Sequence, residues 1–217
     1  KIPGTPEGVP AIEESIYKGV PINVTLLFST AQYIASAEAY LRGIERRIAD
    51  GLDPQVSSVA SLFVSRWDRA VADRVPPALR NTLGIAVSRK AYQAYRDLLD
   101  SPRWNALAAA GAQPQRLLWA STGTKDPDAS DTLYVSALAA PDTINTIPDK
   151  TLAAFADHGT PASVLGGDVG AVLQPFRAAG IDTEALARQL QEEGADAFVK
   201  SWQALMGKIA DKAKALA

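Results

Sequence analysis

Apolar positions along the chain follow two periods, and the segments that keep each period alternate. Ile22–Phe28 (INVTLLF) and Val59–Val64 (VASLFV) are short, nearly continuous apolar runs of the kind found in strands covered on both faces. In the first, polar Asn23 and Thr25 fall at i and i+2, so a strict period of two predicts that they share a face with Leu27. Helical spacing precedes this run, with Val9, Ile12 and Ile16 in the segment Glu7–Lys18 and Gly19 as a stop. After it, Ser29-Thr30-Ala31-Gln32 has the S-x-x-Q spacing of a capping box. It opens a helix whose apolar stripe reads Ile34, Ala37, Leu41, Ile44 and Ile48, ending at Gly51.

The alternation continues down the chain. Ser57–Val64 predicts a strand with Val59, Ser61 and Phe63 on one face, followed by helices over Arg66–Arg80 and Gly84–Leu99 and a short alanine-rich one over Trp104–Ala110. Arg116–Ser121 is a further strand, Thr122–Ser130 a loop, Thr132–Ala139 a short helix and Asp142–Ile147 a last strand stopped by Pro148. A helix runs from Asp149 to Gly159, and residues 160–217 form a helical tail. In it Gly180-Ile181-Asp182 caps Thr183–Glu193. A separate final helix starts at Asp196 and is expected to bury Phe198, Val199, Trp202, Leu205, Met206 and Ile209 as core. Lys1–Pro6 reads as a strand end entering a turn.

Strand followed by helix, repeated, specifies an α/β fold with a parallel sheet and helices outside it. Five strands fall short of the eight of a (β/α)8 TIM-type barrel. The expectation is that residues 1–217 supply the last five strands of one such domain together with its tail.

Composition narrows the chemistry. With 22 Lys+Arg against 24 Asp+Glu, the charge balance shows no nucleic-acid footprint and no polybasic membrane patch. The chain has no cysteine and a single histidine, His158, which removes disulfides, thiolate metal sites and His-rich catalytic metal centres from consideration. No apolar run approaches the ~18 residues of a membrane span, so a cytoplasmic location is the default. Gly166-Gly167 has no G-x-G-x-x-G around it, and no P-loop occurs.

Five segments carry a resemblance: KIPGTPEG at residues 1–8, INVTLLFS at 22–29, SVASLFVSR at 58–66, WASTGTKDP at 119–127 and DTINTIP at 142–148. In order and spacing they resemble the strand-end motifs of the transaldolase family, from the Schiff-base strand onward. The resemblance implies a cofactor-free enzyme acting on sugar phosphates, with Lys1 as the Schiff-base nucleophile. Asn23 would hydrogen-bond the substrate and Thr25 hold a catalytic water. Ser61 would contact the dihydroxyacetone moiety, Phe63 shape the pocket, and Arg66, Ser121 and Lys125 receive the phosphate. It also implies a partner: the first three strands, in cis or from a second chain, with the proton-transfer residues they carry.

Residue type alone leaves other readings open. Asn23 and Thr25 also read as a satisfied interior pair, Phe63 as core, Arg66 and Lys125 as solvated charges, and Lys1, without its motif, as a solvated terminal lysine. His158, at a helix end, reads as structural. Within the resemblance, the alternatives to dihydroxyacetone transfer are a fructose-6-phosphate aldolase-like activity and a non-catalytic half-barrel needing a partner chain.

Overall fold

The computed structural model describes residues 1–162, 165 and 169–216, so Gly166-Gly167 lies outside the described residues. Five parallel strands lie side by side in chain order: β1 (Ile2–Pro3), β2 (Ile22–Leu27), β3 (Ser58–Phe63), β4 (Arg116–Ala120) and β5 (Thr143–Asn145). Neighbours in sequence are neighbours in the sheet. Between them run α1 (Gly8–Tyr17), α2 (Thr30–Ala49), α3 (Ser65–Val71), α4 (Leu83–Leu99), α5 (Pro102–Ala109) and α6 (Leu133–Ala137). After β5 come α7 (Asp149–His158), α8 (Gln174–Ala178) and α9 (Thr183–Ala215). Sequential parallel order with a helix in each crossover is the topology of a barrel wall, here five strands wide with β1 and β5 as its edges.

Two apolar clusters divide the sheet by face. Val24, Leu27, Ala60, Leu62, Leu117 and Trp119 pack with Ile12, Ile16, Tyr33, Tyr40, Ile44 and Tyr95 beneath the surrounding helices. On the other side Leu26, Phe28, Phe63, Leu118 and Ala120 gather with Trp67 of α3 and with Phe176, Leu186 and Leu190 from α8 and α9. The α9 helix therefore closes over the strand ends instead of joining the outer layer.

The period of two expected for β2 fails at one place. Val24 pairs with Ala60 and Leu27 with Leu62, so Thr25 and Leu26 stand opposite the single residue Ser61. Leu26 takes a left-handed φ of 57°, which accommodates the extra residue as a bulge. Leu27 is thereby turned to the helix-covered face with Val24, away from Asn23, which corrects the shared face expected for Asn23 and Leu27.

The capping box at Ser29 forms, with Ser29 Oγ accepting from Gln32 N, while Gln32 Oε1 accepts from Ser29 N and also from Phe28 N. The buried stripe of α2 is Tyr33, Ala37, Tyr40, Leu41 and Ile44, whereas Ile34 is 43% exposed. A tyrosine one position earlier takes the inward place expected of Ile34, its ring edge-on to Tyr95 at 6.4 Å. The helix expected over Arg66–Arg80 stops at Val71, because Pro76 and Pro77 force the preceding backbone out of helical geometry and leave a 3-10 turn at Pro77–Leu79.

The largest correction concerns the last helix. Gly194 does not interrupt it, and one helix of 33 residues runs from its Asp182 cap to Ala215. Its buried face ends at Gly194. Phe198, Val199, Trp202, Leu205, Met206 and Ile209 are 40 to 63% exposed, so none of them is core. Helical spacing identified a stripe, but a stripe is buried only where another element covers it.

Candidate active site

The polar residues of the sheet meet on the face away from α1 and α2. Asn23 lies opposite Val59, and on that face Ser61 Oγ donates to Asn23 Oδ1 at 2.8 Å. Thr25 is 1% exposed and its Oγ1 has no hydrogen-bond partner among the described residues. A buried hydroxyl left unpaired costs about 1–3 kcal/mol, so this group is poised to gain from a ligand or water that pairs with it.

A second polar cluster sits at the carboxyl ends of β3 and β4. Val64 N donates to Ala120 O and Ser65 N to Ser121 O, carrying the ladder past the strand ends. Ser65 Oγ and Ser121 Oγ lie 2.9 Å apart, and Ser121 adopts a left-handed φ of 58° to bring its hydroxyl there. That conformation costs a non-glycine residue of order 1 kcal/mol or more. Beside it the fully buried Thr122 donates to Asn145 Oδ1 at 2.8 Å, tying β5 to the same end. Ser65, Thr122 and Asn145 lie within the segments that carry the family resemblance, but the resemblance assigns them no role; the strand register brings Ser65 and Asn145 beside Ser121 and Thr122.

Arg66 follows Ser65 and lays its guanidinium over the Phe63 ring, 4.8 Å from the centroid. Phe63 in turn packs on Phe28 at 5.4 Å. Arg66 forms no ion pair among the described residues. Partial burial and then nearby Arg69 pull its pKa below the usual guanidinium value, opposed by Glu193. A cation left in that state gains from an incoming anion.

Lys125 is exposed. It lines a cleft of about 260 Å³ with Ser65, Arg69, Arg80, Asn81, Asp126 and Tyr134, and Arg66 is not among the lining residues. Asp68 forms the floor, accepting hydrogen bonds from Leu83 N (2.8 Å), Gly84 N (3.2 Å) and Tyr134 Oη (2.8 Å). It caps α4 from a distance. Burial raises its pKa, and the three hydrogen bonds oppose that rise. Ser65 borders this cleft and touches Ser121, so it links the cleft that Lys125 lines to the carboxyl end of β4.

Lys1, next to β1, is exposed, with Nζ 5.2 Å from the centroid of Phe198 on α9. The structure thus brings together Asn23 with Ser61, Ser121 with Ser65, and Arg66 with Phe63. Lys125 lines the cleft with Ser65 and Arg69, and Arg66 is not part of that lining. His158 is at the end of α7, between Asp131 (2.9 Å) and Asp157 (3.1 Å) on the surface.

A parallel wall with polar side chains on its inner face and a cation at the carboxyl ends of its strands has the layout of a (β/α)-barrel enzyme, whose sites lie at that end. The family model described as transaldolase/fructose-6-phosphate aldolase matches residues 1–209, and the chain belongs to that family. It is 47% identical to a protein named transaldolase from Thiobacillus denitrificans, over 96% of this chain and 61% of the relative. Identity is 45% to the transaldolase of Thermobifida fusca, over 98% of this chain and 61% of the relative. With transaldolase 2 of a Nostoc species it is 41%, over 100% of this chain and 62% of the relative. The chain therefore spans about three-fifths of the length of these relatives. Among the described residues no helix is long and apolar enough to cross a membrane.

Proposed function

We propose that this chain carries the Schiff-base half of a cytoplasmic transaldolase, moving a dihydroxyacetone unit from sedoheptulose 7-phosphate to glyceraldehyde 3-phosphate in the pentose phosphate pathway. The observation that carries the reading is the polar inner face, Asn23 bonded to Ser61 beside buried Thr25, in a chain that belongs to this family; the resemblance of KIPGTPEG to the family's Schiff-base strand is what assigns the nucleophile to Lys1.

In this reading the neutral amine of Lys1 attacks the C2 carbonyl of the ketose phosphate and water leaves, giving an iminium. The C3–C4 bond then breaks, its electron pair flowing into the iminium, and erythrose 4-phosphate departs as the aldehyde. The three-carbon enamine adds to glyceraldehyde 3-phosphate, and hydrolysis frees fructose 6-phosphate and the amine. The iminium is the electron sink, so the cycle balances with no cofactor. Asn23 and Ser61 hold hydroxyls of the three-carbon unit, Thr25 orients the water of imine formation and hydrolysis, and Phe63 walls the pocket. Arg66 takes the phosphate, with Ser121 and Lys125 as lesser contacts. Three further strands, in cis or from a second chain, cover the β1 and β5 edges and bring the proton-transfer groups.

The decisive experiment is borohydride reduction of the complete protein with fructose 6-phosphate, followed by peptide mapping. The expected result is a three- or six-carbon adduct on the Lys1 side chain, abolished in Lys1→Met. An adduct on Lys18 or Lys90 would end the Schiff-base assignment. A trapped enzyme that releases free dihydroxyacetone without an acceptor would favour the aldolase branch of the family.

A further inference from the structure

One stripe of α9 runs across the strand ends, and each of its members meets a different part of the site. Ala187 O accepts from Gln32 Nε2 at 3.4 Å, at the start of α2. One turn on, Gln191 is 6% exposed, and its Nε2 donates to both Gly4 O and Leu26 O at 3.0 Å. Gly194 passes so close to Leu26 that a Cβ there would stand 2.7 Å from Leu26 Cδ2 and 3.2 Å from an Arg66 guanidinium nitrogen. Phe198 completes the stripe under Lys1 Nζ.

The two carbonyls that Gln191 joins belong to adjacent strands. Gly4 continues β1, its N–H donating to Thr25 O at 2.8 Å, three residues from Lys1. Leu26 is the left-handed residue of the β2 bulge, next to Thr25. A bulge leaves its extra residue outside the regular ladder, which lets a donor from α9 reach the Leu26 carbonyl. The primary amide of a glutamine has two N–H groups, and those of Gln191 serve both carbonyls.

We infer that Gln191 is a positioning residue, its amide fixing the β1 end that follows Lys1 against the β2 bulge that carries Thr25. This rests on the reading of Lys1 as the nucleophile. The chemical sense is one of distance: attack on a carbonyl and delivery of water to the resulting iminium both need Lys1 and Thr25 held in one geometry, and a displacement of about 1 Å can cost ~10²-fold in rate. In the proposed reading Arg66 takes the remote phosphate from the first turn of α3 and is not held by this amide, so substrate affinity and chemistry separate.

The test uses Gln191→Met, close in volume and without a donor, and Gln191→Asn, which keeps the donors on a shorter arm, both in the complete protein. The readouts are the rate of borohydride-trapped adduct at saturating fructose 6-phosphate, kcat, KM, inhibition by inorganic phosphate and the thermal midpoint. Gln191→Met is expected to slow trapping and kcat about tenfold or more, with KM and phosphate inhibition within about twofold, and Gln191→Asn to recover part of the rate. Trapping and kcat within about twofold of the unaltered protein in both variants would overturn the inference alone. So would loss of cooperative unfolding in both, which would assign the amide to stability. Absence of any Lys1 adduct in the unaltered protein would overturn the reading beneath it as well.

Discussion

Two glycines of α9 offer a controlled experiment on whether that helix presses on the site. Gly194 and Gly207 lie in the same helix, and alanine at either removes the backbone-entropy cost of glycine, which contributes about 1 kcal/mol in a helix interior. At Gly207 a Cβ meets nothing within 4 Å, so Gly207→Ala should stabilise by roughly that amount. At Gly194 the same Cβ would stand 2.7 Å from Leu26 Cδ2, well inside contact distance. Leu26 is fully buried and its backbone φ is already left-handed, so its side chain has little room to retreat. Overpacking of this kind costs about 1–3 kcal/mol, which cancels or outweighs the helical gain. The two variants should therefore differ by about 1–3 kcal/mol in urea unfolding of the complete protein, a midpoint separation of roughly 0.5–1.5 M at m of ~2 kcal/mol/M. Because the new methyl also reaches within 3.2 Å of the Arg66 guanidinium, Gly194→Ala should raise the KM for phosphorylated substrate while Gly207→Ala leaves it unchanged. If Gly194→Ala stabilises as much as Gly207→Ala, α9 does not rest on Leu26 as described.

Arg66→Ala should raise KM for fructose 6-phosphate about tenfold or more, from loss of a charge-assisted contact of ~1.5–3 kcal/mol, with a smaller change in kcat. Steady-state kinetics with unchanged KM would place the phosphate elsewhere, and Lys125→Ala should act in the same direction more weakly. His158 is the chain's single histidine, so its proton NMR titration is unambiguous. Hydrogen bonds to Asp131 and Asp157 raise its pKa above the usual 6.5, and its contribution to stability is present below that unfolded value and lost as pH rises through the higher folded one. Asp131→Asn should lower the titration midpoint, and a midpoint at or below 6.5 in the unaltered protein would refute the pairing. Residues 1–217 expressed alone expose the β1 and β5 edges and should self-associate without transaldolase activity, as read by sedimentation velocity and a coupled assay. An active, cooperatively folded monomer would show that five strands suffice.

What the sequence determined by itself was whatever depends on near neighbours. Hydrophobic runs located β2 to β5, Lys1–Pro6 read as the strand end that β1 proves to be, and the Ser29–Gln32 capping box formed as its spacing implied. The motif order from Lys1 to Pro148 was enough to indicate the family. Tertiary structure decided the rest. The bulge at Thr25–Leu26 turned Leu27 to the other face, because period two holds only while both strands advance at the same rate. Tyr33 displaced Ile34 from the inner stripe, since which side of an amphipathic helix is buried is fixed by the helix packed against it. Trp202 and its neighbours match Leu186 and Leu190 in helical spacing, yet only the latter pair lies over the strand ends. Gln191, nearly 190 residues from Gly4, could be joined to it only by the path of the folded chain, because hydrogen-bond partners at that separation leave no mark on local pattern.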